Sequence, residues 1–458
     1  MIALVITLFV IGYLSITLEH PLRLDKAVSA LLMATVLWAV IALGFNQGWL
    51  SVVDSSGNIF NIAEGSLEIQ NLGFKSILMH HFSNAAEILF FLIGAMTIVE
   101  IIDLHRGFDI IKSAITTTSK VKLLWTLGVL AFLMSAIIDN LTATIILVTL
   151  LTKLIPKHEY RIWYASLIVI AANAGGAWSP IGDVTTTMLW INEKVTAVGL
   201  SEYVILPSIL CFVVPFLIAS KMKAFRGETS RKTNFADIES EHLLSSKKML
   251  YVGLGAILFV PVFKGITGLP PYIGMLFSLS IVWLISEYVK PVKNYTKSDK
   301  HKYSAHKALS RVEFSSILFF LGILLAVSAL ESLVYGSING ESVGTLRYAA
   351  EALTAFLPNM DVVIVALGFL SAVLDNVPLV AATMAMYDFP KDSAAWHFIA
   401  YCAGTGGSML IIGSAAGVAA MGMERINFIW YLRNITLLAL AGFISGAVCF
   451  IFIEHFIR

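Results

Sequence analysis

The chain has 458 residues, a formal net charge of +1, 58% hydrophobic and 13% charged residues, and a mean hydropathy of +0.83. A soluble domain is about half apolar and about a quarter charged, so this composition points to a polytopic membrane protein, and the near-neutral charge argues against nucleic acid as a partner. Cys211, Cys402 and Cys449 lie far apart in apolar segments, which excludes a metal-type cysteine spacing and a disulfide framework.

A membrane-spanning helix needs about 20 apolar residues. In chain order the predicted spans are 1–18, 27–44, 88–103, 203–220, 249–266, 271–289, 314–334 and 428–455. The first run lacks a basic start and a small-residue cleavage site, so it reads as a retained helix. The stretches 120–155, 162–200, 361–387 and 396–425 are apolar but interrupted by Asp, Asn, Gly or Pro. The expected fold is an all-α polytopic membrane protein.

Loop charges set the orientation. Residues 221–248 carry Lys221, Lys223, Arg226, Arg231, Lys232, Lys247 and Lys248, and residues 290–311 carry Lys290, Lys293, Lys297, Lys300, Lys302, Lys307 and Arg311. The positive-inside rule makes both loops cytoplasmic. Residues 45–71 hold no Lys or Arg, and 335–360 hold only Arg347, so both face outside, as do the two termini. The flanks 104–122 and 153–161 are both basic and inside. The apolar stretch between them therefore leaves and returns on one side, as a re-entrant helical hairpin with Asp139-Asn140 at its tip.

The chain then repeats itself. Ser135-Ala-Ile-Ile-Asp139-Asn140-Leu-Thr142 is answered by Ser371-Ala-Val-Leu-Asp375-Asn376-Val-Pro378, and Ile-Leu-Phe-Phe-Leu occurs at 88–92 and at 317–321. The second hairpin enters from the opposite face. Residues 1–220 and 249–458 thus read as two inverted repeats joined by the basic linker 221–248. The hairpins are expected over 123–155 and 361–387.

After each hairpin comes a span broken by glycine, over 162–200 and 396–425. The first contains Asn173, Gly175, Gly176, Ser179, Pro180, Gly182, Asp183, Thr185 and Thr186; the second contains Gly404, Gly406, Gly407, Ser408, Gly413 and Ser414. Gly costs about 1 kcal/mol and Pro about 3 kcal/mol inside a helix, so both spans are expected to unwind. Unwound backbone at membrane depth must be buried in protein or line a wet cavity. The carbonyls at Gly175, Gly176, Gly406 and Gly407, with Asn, Ser and Thr oxygens, are hard ligands suited to small cations. The second half lacks counterparts of Pro180 and Asp183, so the negative charge is heavier on the first-half side.

Each candidate has a plainer reading. Clustered glycines also serve close helix packing. Asp139 and Asp375 can cap half-helices, and Asp183 can be an N-cap. Glu87 heads an apolar run and can snorkel outward; Glu100 reads as interfacial. His80-His81, His301 and His306 read as solvated.

Carboxylates within the membrane suit a protonation cycle. Desolvation raises a carboxyl pKa, a bound cation lowers it, and the two ions then displace each other by linkage. The sequence thus points to cation/proton exchange, with the cation meeting Asp139 and Asp375 and the shell completed by Asn140, Thr142, Asn173, Asp183, Thr185, Thr186, Ser371, Asn376 and Ser408. Glu87 is a candidate for the proton path. The alternatives are a Na+-coupled carboxylate or oxyanion carrier, which acidic hairpin tips disfavour, and an intramembrane aspartyl protease pairing Asp183 with Asp388, which would need Gly-x-Gly-Asp where the chain has Pro180-Ile181-Gly182-Asp183.

These motifs carry a resemblance. The Asp-Asn pairs, the string Asn173-Ala-Gly-Gly-Ala-Trp-Ser179-Pro180-Ile-Gly-Asp183-Val-Thr185-Thr186 and Gly404-Thr-Gly-Gly-Ser408 resemble the NhaD-type sodium/proton antiporters of the ion transporter superfamily over the whole chain. The resemblance implies a bacterial inner-membrane homodimer that exports Na+ or Li+ and imports H+, with no cofactor and no enzymatic activity. The family's polar motif residues fall on Asp139, Asn140, Asn173, Asp183, Thr185, Thr186, Ser371, Asp375, Asn376 and Ser408, and its third-helix acid on Glu87.

Overall fold

A computed structural model describes residues 1–18, 22–64, 66–113, 115, 117–228, 243–291, 303–338, 341–357 and 359–456. Arg231, Lys232, Lys293, Lys297, Lys300, His301 and Lys302, on which part of the loop-charge argument rests, lie outside them. Among the described residues eight helices are long and apolar enough to cross a membrane. The chain divides into two compact units, each assembled from separate stretches.

The first unit comprises Met1–Leu89, Glu313–Val363 and Val377–Pro390. Helices α1 (Ile2–Thr17) and α2 (Lys26–Asn46) pack together, and α2 packs along a third helix, Phe314–Ser332. The start of α2 is fixed by its cap. Asp25 accepts the Ala27 N–H at 2.8 Å and the Ser315 hydroxyl at 2.6 Å, and these bonds hold its carboxyl below the usual range. Deeper in, the Trp38 indole N–H donates to the Leu325 carbonyl at 2.8 Å, which satisfies its one polar atom in an apolar contact.

Two features of this unit depart from the sequence expectation. The loops read as lying outside carry small antiparallel sheets, β1 (Val52–Val53) with β2 (Ile59–Phe60) and β3 (Val334–Ile338) with β4 (Glu341–Gly344). A bridge from Val52 to Leu333 joins these loops. The strands of the first are two residues long, too short for alternation to register. The second departure is α3, a single helix from Leu67 to Leu104 of 38 residues, roughly 57 Å at 1.5 Å per residue. Hydropathy marks only 88–103 because His80, His81, Asn84 and Glu87 interrupt the apolar run. His81 is not a solvated loop residue: its side chain is 12% exposed, its ring nitrogen lies 3.0 Å from the Ser332 hydroxyl, and Glu331 stands 4.0 Å away. His80 remains exposed, as does His306.

The second unit comprises Phe90–Val312, Ile364–Asn376 and Lys391–Arg458. After α4 (Asp109–Ser113) come α5 (Lys120–Ile138) and α6 (Asn140–Leu154), which pack on each other and on α7 (His158–Ala177). This is the first hairpin, with one residue, Asp139, between its arms. Helix α7 ends at Ala177 and α8 (Val184–Ile191) resumes after a break. The expected span 162–200 overran: α9 (Ala197–Ser220) begins inside it, capped by Thr196. Helices α10 (Ser246–Thr267) and α11 (Pro271–Tyr288) form a pair, followed by α12 (Ala305–Leu309). In the first unit, the helix Phe314–Ser332 is α13, and α14 (Thr345–Phe356) follows β4. The second hairpin is α15 (Met360–Ser371) and α16 (Asn376–Met386), of which residues 364–376 belong to the second unit. The second broken helix is α17 (Ala394–Gly406) and α18 (Ala415–Glu424). The run 428–455 divides into α19 (Phe428–Asn434) and α20 (Thr436–Phe456). In each half, then, a hairpin is followed by a broken helix, as the sequence led one to expect.

Beyond the end of α3, His105 is fully buried. Its two ring nitrogens lie 2.8 Å from the Ser245 hydroxyl and 3.1 Å from the Ser286 hydroxyl, and its carbonyl accepts from Ser246 at 2.8 Å. Nearby on the sequence, Arg311 pairs with Glu100 at 2.9 Å and Asp103 at 2.6 Å. Glu100 is thus ion-paired rather than simply interfacial. Burial pushes the His105 pKa from 6.5 down to about 4. Between those values the unfolded chain binds this proton and the folded chain does not, so stability falls as pH drops through the window. The contribution is on the order of 3 kcal/mol. Thermal unfolding in detergent between pH 7 and 4 is expected to show a declining midpoint, and His105→Gln is expected to flatten that decline.

Candidate functional site

The site is built where the two hairpin tips meet the two helix breaks, all within the second unit. At the first tip Asp139 has φ 86° and ψ 155°. That region is open almost solely to glycine and costs about 1–3 kcal/mol for other residues. The side chain offsets part of the strain by capping α6. One carboxylate oxygen accepts the Thr142 N–H at 2.8 Å and the other accepts the Thr142 hydroxyl at 2.8 Å. Asp139 and Asp375 are half-buried, each one residue before a buried asparagine.

Those asparagines converge on a single carboxylate. The Asn140 amide N–H2 donates to Asp183 Oδ2 at 3.2 Å, and the Asn376 amide donates to the same oxygen at 3.0 Å. Asp183 is 3% exposed. It caps α8, with its other oxygen accepting the Thr185 N–H at 3.3 Å. A buried carboxylate is costly unless its lone pairs are filled, and here both hairpins supply donors. Asn173 ties the arrangement together. Its Oδ1 accepts from Asn140 at 3.2 Å, and its N–H2 donates to Ser408 Oγ and Ser414 Oγ, both at 2.9 Å.

Gly175, Gly176 and Gly406 are not unwound as expected: they lie in the last turns of α7 and α17, with Gly407 the C-cap, and the unwound carbonyls beyond them are largely taken. Thr186 donates to the carbonyls of Ser179 at 2.6 Å and Asp183 at 2.9 Å, and Thr187 to that of Pro180 at 2.9 Å. In the second break Tyr431 donates to the Ser408 carbonyl and Thr436 to the Met409 carbonyl, each at 2.8 Å. Hydroxyls on neighbouring helices thus do for these groups what water cannot. The hairpins are held to the broken helices by matching bonds, Ser135 Oγ to the Ala172 carbonyl at 2.6 Å and Ser371 Oγ to the Ala403 carbonyl at 2.8 Å.

Two glycines explain how close the elements come. A Cβ on Gly175 would strike the Phe132 carbonyl, and one on Gly406 would strike the Gly368 carbonyl. Each hairpin arm therefore lies directly on the glycine face of its broken helix.

Of the residues singled out in the sequence, Asn140, Asn173, Asp183, Asn376 and Ser408 form one hydrogen-bonded network. Thr142 belongs to the Asp139 cap, Thr185 and Thr186 to the first turn of α8, and Ser371 to the hairpin anchor. Glu87 is half-buried on α3, in the part of that helix belonging to the first unit. Ser414 and Ser135 were not selected, although both stand in the motifs. The signal for Ser414 is a spacing: Gly176 to Asp183 equals Gly407 to Ser414.

With this geometry in view, comparison with known proteins is decisive. The chain matches the citrate transporter family (CitMHS) over residues 6–397. It is 43% identical to sodium/proton antiporter 1 of Arabidopsis thaliana over 98% of this chain and 72% of that one. It is 30% identical to the Na+/H+ antiporter NhaD of Vibrio cholerae over 98% and 91% of the two chains. The chain belongs to the NhaD-type antiporters of the ion transporter superfamily. Its fold is also that of the Alcanivorax borkumensis YdaH transporter, with a TM-score of 0.59 at 12% identity over 94% of this chain and 98% of that one. Within this NhaD-type chain the glycine contacts are the most exacting feature. Gly175→Ala and Gly406→Ala are each expected to destabilise by about 1–3 kcal/mol through overpacking, read as a lower midpoint in detergent unfolding, whereas Gly255→Ala, inside α10 and meeting nothing within 4 Å, is expected to raise it through helix propensity.

Proposed function

We propose that this protein exchanges Na+ or Li+ for H+ across its membrane, and that Asp183 is the group the two ions share. The observation that carries this reading is the convergence of Asn140 and Asn376, one from each hairpin tip, on one oxygen of a buried carboxylate. The names of its relatives support the activity. Protonated, Asp183 is neutral and tolerated in low dielectric. Ionised, it attracts a small cation, whose charge offsets the desolvation cost. The same carboxylate cannot hold both ions well, so each displaces the other. Alternating access of the two inverted repeats, 1–220 and 249–458, then turns competition into exchange.

Asp139 and Asp375 serve in this scheme as fixed charges at the two hairpin tips, where Asp139 also caps α6, and both draw the cation toward the asparagines. The amides of Asn140 and Asn376, turned over, present Oδ1 to the cation, with Ser408, Thr185 and Thr186 beside them. Loop charges support an orientation with both termini outside and residues 221–248 and 290–311 on the cytoplasmic side. A carboxylate substrate would meet Asp183 as a like charge, which disfavours the carrier reading. An aspartyl protease reading fails on chemistry, since Asp388 is exposed while Asp183 is buried.

Dequenching of a pH-sensitive dye in proteoliposomes tests this. Na+ or Li+ is expected to alkalinise an acidified lumen, and a dicarboxylate salt of an inert cation is expected to do nothing. Asp183→Asn is expected to abolish the response, while Asp139→Asn and Asp375→Asn lower it with a raised half-saturating Na+ concentration. Full activity in Asp183→Asn removes that residue from the exchange.

A further inference from the structure

The two halves of the site follow one backbone plan and differ in chemistry at one position. Asp183 caps α8 at φ −147° and ψ 148°, and Ser414 caps α18 at φ −148° and ψ 152°. Each follows a glycine, and each stands seven residues after the second glycine of its break. A Cβ on Gly182 would meet the Ser135 carbonyl at 2.6 Å, and a Cβ on Gly413 would meet the Ala372 carbonyl at 2.5 Å, so each break rests on its own hairpin in the same way. Ser414 therefore occupies, in the second half, the place of the carboxylate in the first.

We propose that position 414 is the charge-setting position of the exchanger: the serine there restricts the buried network to one carboxylate and so fixes how many protons are exchanged per cation. This deepens the reading of Asp183 as the exchanging group and rests on it.

The surroundings of Ser414 are those of an acid that is missing. Its hydroxyl oxygen already accepts two N–H donors, the Asn173 amide at 2.9 Å and the Gly417 backbone at 3.2 Å. Those are the kinds of donor that Asp183 receives from Asn140, Asn376 and Thr185. A carboxylate at 414 would meet both donors, at the N-terminus of a half-helix, without any other residue changing. Asn173 matches Gly404 in register, and a Cβ on Gly404 would meet the Ala177 Cβ at 3.2 Å and lie 3.7 Å from Asp183 Oδ2. The second half therefore offers no side chain at this register position, where the first half has the Asn173 amide. Two buried acids in one network titrate as a coupled pair, the second proton being held to higher pH. Adding one therefore changes both the pH profile and the ion count.

The test uses the full chain in proteoliposomes, with Na+ as the probe. Flux against pH and the Na+ gradient that nulls proton flux are measured for wild type, S414D, S414N, D183S and D183S/S414D. D183S is expected to lose exchange by about 100-fold or more, the scale of removing a positioned proton-transfer group. D183S/S414D is expected to recover at least about tenfold over D183S, because the carboxylate has moved across the pseudo-twofold axis to a place with donors waiting. S414D is expected to raise the pH of half-maximal flux by about one unit and to alter the null-point ratio. S414N, of the same size and uncharged, keeps the wild-type midpoint and ratio whatever its rate. The proposal is overturned if S414N moves the midpoint as far as S414D, or if S414D keeps the wild-type midpoint and ratio. It is equally overturned if D183S/S414D, monodisperse in detergent, stays as inactive as D183S. If S414D alone does not fold, the double variant, which keeps the carboxylate count at one, decides by the same recovery. Wild-type flux in D183S would instead remove the reading of Asp183 on which this rests.

Discussion

An ionised carboxylate in a low-dielectric interior must be neutralised, paired or filled with hydrogen bonds, and the architecture of the second unit answers that demand at Asp183. One oxygen takes the Thr185 backbone N–H, and the other takes two amides. Those amides arrive from two hairpins far apart in sequence, so both hairpin tips must be brought to one helix break. Glycine faces let the hairpins lie directly on the broken helices, and the Ser135 and Ser371 hydroxyls pin them there.

The same arrangement keeps the polar groups few and shared. Breaking a helix exposes carbonyls that lipid cannot satisfy. The threonines at 186 and 187, Tyr431 and Thr436 take up five of them. What remains for an ion is a set of side-chain groups with exchangeable partners: one acid, three amides and two hydroxyls. An ion that perturbs any of them is felt in both repeats, because Asn173 joins Asn140 to Ser408 and Ser414. That coupling suits a transporter, in which occupancy of the site must bias the arrangement of whole helices.

One strained residue stands where function is expected. Asp139 adopts a backbone conformation that favours glycine, yet it is an aspartate with both oxygens engaged in the cap of α6. A glycine there would relax the backbone and remove a charge from the hairpin tip. The chain retains the strained acid, a pattern expected where local geometry is tied to mechanism.

Much of this was legible in the residues. The repeated Asp-Asn pairs and the glycine-broken spans marked the hairpins and the broken helices, since hydropathy and Gly/Pro punctuation act locally and leave a mark at each position. They also singled out Asn140, Asn173, Asp183, Asn376 and Ser408, which the folded chain joins in one hydrogen-bonded network. Sequence could not rank them. Asp139 and Asp375 looked like the central acids because they recur, whereas the folded chain leaves both half-buried and buries Asp183, which has no acidic twin. Burial and donor count decide which carboxylate is costly to ionise, and both depend on contacts between segments distant in sequence, such as Asn376 with Asp183. The continuous 38-residue α3 and the half-buried His81 escaped for a related reason: polar residues break a hydropathy run whether or not a distant partner such as Ser332 satisfies them. Sequence by itself determined which segments are apolar, where they break and which acids lie within them. Only the folded chain decided which of those acids is desolvated and shared between the two halves.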